Sequence, residues 1–314
     1  MAETDWAQLI EESLASFTLD VLPTTLQLPA LPLAVTRFIA ASQRPDVDLR
    51  ELAAIVETDT GLTVELLRNV NSAFVGLKQK AKTARQALAL LGLRQSKLLV
   101  VTVGAQAAIR ARQSKLINQT SFWNTSLQRA IFARETAKML KSDPEVAFAG
   151  ALLQDYLLPV LSNEFFDQYL AFTTQRDDLP DCIIEYEQQS IGCDHAVVAA
   201  AMAHRWKLPD ELVCCVLFHH RGLRVLADPR LARTSVAAVA LSALLPDQLR
   251  QSLSGLDQLA LLETKWPAFR FEELVETVDA QQAEIGMGVG NDYPLMRRCR
   301  QFLEQRPAAE AAPA

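Results

Sequence analysis

Residues 83–92, TARQALALLG, contain a helix start, a helix body and a helix stop in direct succession. Thr83 and Gln86 have the spacing of a capping box, in which the hydroxyl accepts a hydrogen bond from a backbone N–H three residues later. The residues that follow are mostly Ala and Leu, which favour helix. Gly92 tolerates the left-handed conformation that ends many helices. The stretch therefore predicts a helix that stops at Gly92.

The same helical signals recur on both sides of this stretch. Apolar residues return at three- and four-residue steps from Leu33 onward, and no segment shows the alternation of a strand. Half of the residues are hydrophobic while only 7% are aromatic, a balance that favours helix over sheet. We therefore expect an all-α fold, a multi-helix bundle.

Local signals place several individual helices in the second half of the chain. Ser121 is expected to cap a long helix carrying Trp123. A helix is expected from Glu145 to about Leu158, where Pro159 should disturb or end it. Asp194 is expected to cap a helix that runs to Trp206.

Composition narrows the functional classes. The net charge of −6 argues against a general nucleic-acid binder, which needs a basic stripe. Five cysteines without a C-x-x-C pair suit reduced thiols in the cytosol. No basic and apolar leader stands at the N-terminus, and no segment is expected to span a bilayer. A cytoplasmic protein without membrane insertion is predicted.

The patterns divide the chain into four regions. They are a first helix and proline-containing lead-in (1–27), a main domain (28–225) with halves 28–117 and 118–225, a C-terminal helical extension (226–305), and a low-complexity tail (306–314). The tail has the composition of a disordered segment. The extension carries no interpretable motif.

Segments of the main domain, taken in order, resemble the HDOD family, a branch of the HD-domain fold. They are LPALP (28–32), DTGLT (59–63), LLRNVNS (66–72), ALALLGL (87–93), FW (122–123), GCDH (192–195), RWKLP (205–209) and HH (219–220). The resemblance implies an HD-like bundle of two helical subdomains. It also implies a role in bacterial signalling and regulation, often without demonstrated catalysis.

Catalytic HD proteins, by this resemblance, hold metal ions with a His, an adjacent His-Asp pair and a later Asp. Here the pair reads Gln154-Asp155, and Asn124 and Thr125 stand where the earlier His is expected. Amides and hydroxyls are weak substitutes for imidazole as metal ligands. Thr125, Gln154 and Asp155 are therefore interpreted as positions of a degenerate site, and no catalytic residue, metal or cofactor is predicted.

Four other polar residues remain candidates for a functional cleft: Asn71, His195, His219 and His220. His219 and His220 could bind a metal or titrate near neutral pH. Adjacent helical residues point about 100° apart, so one ring is expected inside and one outside. Metal binding there is a minor alternative, and His195 fits a packing role.

The leading hypothesis is a non-enzymatic regulatory module that acts by protein–protein interaction on a separate signalling partner, because no receiver or cyclase domain is joined to it. Two alternatives remain open. One is a sensor that holds a nucleotide-like small molecule in the old cleft. The other is a divergent metal-dependent phosphohydrolase or phosphodiesterase that uses Asp155, His219 and other carboxylates brought close by folding.

Overall fold

Helices supply the regular secondary structure of the computed structural model, which describes residues 4–71, 80–175, 179–180, 182–285 and 293–305. The α-helices are α1 (Trp6–Leu14), α2 (Leu33–Ser42), α3 (Leu49–Glu57), α4 (Thr60–Val70), α5 (Ala84–Arg110), α6 (Gln119–Leu140), α7 (Pro144–Leu153), α8 (Leu158–Glu164), α9 (Phe166–Thr174), α10 (Ile183–Ser190), α11 (His195–Arg205), α12 (Asp210–Phe218), α13 (Ser235–Ser242), α14 (Ser254–Lys265), α15 (Phe271–Ile285) and α16 (Leu295–Gln305). Leu19–Val21 and His219–Ala227 form 3₁₀ segments. No strand occurs within these ranges, and the predicted all-α fold is confirmed.

Short polar side chains begin many of these helices. Thr83 Oγ1 accepts from the Gln86 backbone N–H, and Asp194 Oδ1 accepts from that of Val197. Each side chain satisfies one of the backbone donors that a helix leaves free at its start. The predicted caps at Thr83 and Asp194 are confirmed.

Two predicted boundaries were wrong. Helix α6 begins at Gln119 because the Asn118 side chain, not Ser121, caps it. Helix α7 ends at Leu153, so the helix predicted to reach about Leu158 stops earlier, and α8 takes Pro159 into its first turn. Proline lacks a backbone donor and is tolerated at that position.

Helix α5 is long and interrupted. Gly92 adopts φ 72° and ψ 171°, so the helical path breaks where the sequence predicted a stop. By length and composition α5 is the one helix among the described residues that could cross a membrane, a feature that the sequence analysis did not expect. It packs against α2, α3, α4 and α7, as the central helix of a bundle does.

The core is continuous across the predicted regions. Buried apolar side chains form one cluster that runs from Leu9 in α1 to Cys299 in α16. The predicted boundary after residue 117 lies between α5 and α6, whereas the one after 225 lies inside the 3₁₀ segment His219–Ala227.

The C-terminal extension packs on the central helices α6 and α7. Helix α13 contacts both, and α15 lies along α6. The Phe132 ring of α6 meets Phe269 and Phe271 edge-on, with ring centroids 6.1 and 6.4 Å away. The extension contains helices α13 to α16, and the tail 306–314 lies outside the described residues.

Candidate functional site

The early end of α7 places Asp155 in a turn between two buried helices. Residues 154–157 form this turn, with the Tyr156 N–H bonded to the Leu153 carbonyl and the Leu158 N–H to the Asp155 carbonyl. Asp155 is only 3% exposed. A carboxylate so deeply buried must be paired or coordinate an ion.

Three histidines from two other elements meet this carboxylate. His195 is the first residue of α11, and His219 and His220 follow the last residue of α12. His195 and His219 are buried and His220 is exposed, as expected for neighbouring residues on a helical turn. We call Asp155, His195, His219 and His220 the four-residue cluster.

The ligand-type atoms of the four-residue cluster converge on one point. Oδ1 of Asp155 lies 3.1 Å from Nε2 of His195 and 3.2 Å from Nε2 of His219. The two Nε2 atoms are 3.3 Å apart, and Nε2 of His220 is 3.1 Å from that of His195. All four atoms lie within 4.8 Å of one another.

Outer hydrogen bonds fix the tautomers of the two buried rings. Nδ1 of His219 is 2.6 Å from the Val216 carbonyl oxygen, and Nδ1 of His195 is 2.8 Å from Oε2 of Glu187. Both oxygens can only accept, so each Nδ1 carries a proton and donates it. In a neutral ring the Nε2 lone pair then faces the cluster, which is the arrangement of metal-ligating histidines.

This donor set fits a divalent transition metal. Two imidazole Nε2 atoms and a carboxylate oxygen lie at contact distance from one another, and a single proton among them cannot satisfy all three. A tetrahedral ion with bonds of about 2.0 Å holds its ligand atoms about 3.3 Å apart. The spacings among Asp155, His195 and His219, and between His195 and His220, are close to this value at 3.1 to 3.3 Å, and His220 lies within 4.8 Å of the other two atoms. Three imidazoles and one carboxylate suit zinc or a related ion.

The other oxygen of Asp155 faces a cation supplied by the protein. The Arg129 guanidinium of α6, 3% exposed, donates from Nη1 to Oδ2 at 2.5 Å. Gln154 and Gln248 each donate a side-chain N–H to the same oxygen at 3.3 Å. Burial alone would raise the pKa of Asp155, but Arg129 and the hydrogen bonds from His195 and His219 hold it well below its usual range.

A second buried carboxylate lies behind His195. Glu187, fully buried on α10, accepts from the backbone N–H of His195 at 2.9 Å and from the Tyr169 hydroxyl at 2.5 Å. Burial would lower the pKa of His195, but Glu187 and Asp155 outweigh it and raise the pKa to about 10. Without a metal, His195 is therefore a cation that donates to both carboxylates.

The remaining ring is held neutral. The residue His220 is exposed overall, but its ring is desolvated within the cluster. This desolvation, together with the neighbouring His219 and His195, lowers the pKa of His220 well below its usual value. A neutral ring keeps a lone pair available, as metal ligation requires.

The raised pKa of His195 makes the stability of the metal-free protein depend on pH. The folded protein holds this proton up to a pH of about 10, whereas an unfolded His releases it near about 6.5. The stabilisation that this proton provides is complete below a pH of about 6.5 and disappears as the pH rises through about 10. We expect the free energy of unfolding to fall across this window by up to about 1.4 kcal/mol per pH unit.

Urea unfolding with a chelator present, at several pH values, measures this slope. The control is His204→Gln, which changes an exposed histidine on the same helix as His195 and should keep the full slope. His195→Gln should flatten it. An unchanged slope in His195→Gln would contradict the assignment.

The structure brings together only some of the residues singled out in the sequence. Asp155, His195, His219 and His220 meet, and Gln154 touches the edge of the cluster. Thr125 is buried on α6 one turn before Arg129, outside the four-residue cluster. Asn71 instead pairs with the backbone of Ala81 through both ends of its side-chain amide.

Sequence reasoning missed three residues that complete the site: Arg129, Glu187 and Gln248. Arg129 had a usable signal, since it is a charge among the apolar residues Leu127, Ala130 and Ile131. Glu187 and Gln248 had none, because only the fold brings them to His195 and Asp155.

A cleft of about 260 Å³ leads from the surface to the cluster. Arg129, Asp155, His195 and His220 line it, together with residues of the C-terminal extension: Gln248, Ser252, Ser254 and Gln258. The main domain and the extension build the cleft together.

Comparisons with solved structures support the fold. A provisionally named metal-dependent phosphohydrolase of Shewanella amazonensis SB2B matches with a TM-score of 0.62 and 17% identity, over 89% of this chain and 99% of that one. A provisionally named signal transduction protein of Marinobacter aquaeolei VT8 matches with a TM-score of 0.58 and 19% identity, over 90% of this chain and 65% of that one. At these identities the likeness concerns the fold alone.

Sequence comparison identifies the family. A protein of Treponema pallidum (strain Nichols) is 28% identical over 197 residues, which are 62% of this chain and 37% of that relative. The chain thus matches little more than a third of the relative's length. The model of the HDOD domain matches residues 28–222, more than half of the chain. The protein therefore belongs to the HDOD domain family.

Proposed function

We propose that this protein is a non-catalytic signal-transduction module of the cytoplasm, in which the four-residue cluster binds a structural divalent metal ion. In this proposal the former HD centre stabilises the fold, and the helical surface acts on a separate signalling protein. Zinc is the ion that we expect, because imidazole and carboxylate are among its usual ligands and it takes four ligands in structural sites.

The observation that carries the proposal is the closed set of four protein ligand atoms, all within 4.8 Å of one another. Hydrolytic zinc centres keep a coordination position open for water, whereas structural centres use four protein ligands. A metal held by Asp155 and all three histidines would have no such position. Its chemical contribution would be to neutralise Asp155 and join the ends of three helices.

The second oxygen of Asp155 supports the same proposal. In a two-metal hydrolytic centre, a second ion helps to stabilise the attacking and leaving oxygens. Here Arg129 and two side-chain amides surround Oδ2 of Asp155. Arg129 also donates to the carbonyls of Leu245 and Pro246, so its guanidinium is committed to the protein.

One observation favours the phosphohydrolase alternative. His220 is exposed and lines the cleft, so this ligand is the one that could leave and open a position for water or a phosphoester. The hydroxyls of Ser252 and Ser254 face the same cleft. This alternative requires hydrolysis that depends on the cluster.

Metal content and hydrolysis, measured on one preparation, test the proposal. We expect about one equivalent of zinc by plasma mass spectrometry, on protein purified without chelator or histidine tag. With zinc, manganese or iron added, we expect no hydrolysis of bis(p-nitrophenyl) phosphate beyond that of His219→Ala. Hydrolysis that His219→Ala abolishes would establish the enzyme, and absence of bound metal would remove the metal centre.

A further inference from the structure

The loop between α13 and α14, residues 243–253, connects the four-residue cluster to the C-terminal extension. From this loop Gln248 donates to Oδ2 of Asp155 and to Oγ of Ser126. Arg250, also in the loop, donates to the carbonyls of Phe172 and Pro180. The loop is thus bonded to the site itself and to the α9 region.

Two buried arginines converge on one carbonyl of this loop. Arg129, which is paired with Asp155, donates to the Pro246 oxygen at 3.3 Å. Arg298 of α16 donates to the same oxygen at 2.6 Å. The C-terminal helix and the cluster are therefore separated by one carbonyl group and one guanidinium.

Arg298 is a buried cation held by neutral groups. It is 8% exposed, and its other hydrogen bonds go to the side-chain oxygens of Gln128 at 2.6 Å and Gln251 at 2.8 Å. Among the described residues no carboxylate lies within 4.0 Å of its guanidinium nitrogens. Burial and the nearby Arg129 charge lower its pKa to about 10.

Metal binding would change the charge balance around this pair of arginines. Without metal, the Asp155 carboxylate offsets the charge of Arg129. A divalent ion bound at the cluster would add positive charge there and share the Asp155 carboxylate with Arg129. Less of the Asp155 charge would then offset Arg129, and the net positive charge that faces Arg298 would grow. Buried like charges respond strongly because little water screens them.

We propose that divalent-metal binding at the four-residue cluster opposes the docking of α16 through Arg298, so that occupancy of the site is transmitted to the C-terminal helix. This inference rests on the metal centre proposed above and adds its regulation. Coupling between two sites is reciprocal: if metal loosens α16, then weakening the α16 contact strengthens metal binding by the same factor.

Hydrogen exchange on the unmodified full chain tests the first half of this coupling. Adding zinc to the metal-free protein should speed amide exchange in α16 and in residues 243–253, and slow it around His195 and His219. Slower or unchanged exchange in α16, at saturating zinc, would overturn the proposal. This experiment needs no variant and therefore does not depend on the folding of one.

Zinc affinity, measured by competition with a chelating dye, tests the reciprocal half. Arg298→Gln removes the buried charge and should bind zinc about tenfold more tightly, within the usual range of such couplings. Arg300→Gln, an exposed arginine on the same helix, is the matched control and should bind as the parent does. Arg298→Lys keeps the charge and should remain close to the parent.

The outcomes separate the two proposals. If Arg298→Gln and Arg300→Gln bind zinc equally and zinc leaves α16 exchange unchanged, the coupling fails while the metal centre stands. If the parent protein binds no zinc at all, the metal centre fails and the coupling fails with it.

Discussion

Arg129→Gln is expected to destabilise the protein by about 3–5 kcal/mol, the usual cost of removing one partner of a buried ion pair. The substitution would leave the Asp155 carboxylate charged and buried, with amide donors in place of its guanidinium. It would also release the carbonyls of Leu245 and Pro246, which hold the loop over the cluster. Urea unfolding of the metal-free protein measures the loss.

The matched control is Arg44→Gln, which breaks an ion pair between two half-exposed side chains, Arg44 and Glu51. Exposed ion pairs contribute little to stability, so the free energy of unfolding of this variant should be close to that of the parent protein. The double variant Arg129→Met with Asp155→Asn should recover part of the stability, because it removes both charges together. An Arg129 variant as stable as the Arg44 control would show that the buried pair is unimportant.

His219→Ala is expected to weaken zinc binding by at least about 100-fold, since it removes a ligand, and lost outer-shell contacts alone can cost about that much. Its Nε2 is one of the two that lie next to Oδ1 of Asp155, at 3.2 Å. The variant also leaves the Val216 carbonyl without its partner. Competition with a chelating dye under reducing conditions measures the affinity while keeping the five cysteines as free thiols.

His204→Ala is the control for this measurement. His204 is an exposed histidine on α11, outside the four-residue cluster, so its loss should leave zinc affinity unchanged. Equal affinities in the two variants would place the bound zinc elsewhere in the protein.

The helical class and several helix starts could be predicted because they depend on local chemistry. Thr83 and Asp194 hydrogen-bond a backbone N–H three residues away, and Gly92 breaks α5 by its own backbone conformation. The prediction was wrong at Ser121 and between Leu153 and Leu158, where a nearby residue allowed a different helix boundary. Asn118 is as good a cap as Ser121, and Pro159 fits the start of a new helix.

The candidate site was harder to predict because its partners are distant in the chain. The sequence contained Asp155, His195, His219 and His220, but nothing in it shows that a turn, a helix start and a helix end meet. Thr and Gln occupy positions 125 and 154, and their interpretation as parts of a degenerate site stays a prediction. The sequence alone could not show that the imidazoles at the start of α11 and the end of α12 converge on Asp155. Only the structure reveals this arrangement.

The unit that folds is longer than the unit by which the family is recognised. The family model ends at residue 222, yet Phe132, inside the matched segment, is buried against Phe269 and Phe271 beyond it. The same outer region provides Gln248 and Arg298 to the surroundings of Asp155. Family members aligned only over the matched segment would be compared without Gln248, which donates to Asp155, and without Arg298, which shares the Pro246 carbonyl with Arg129. Under the proposed metal centre, two chains with the same histidines but different extensions would differ in metal affinity or in response, and the cause would lie outside the alignment.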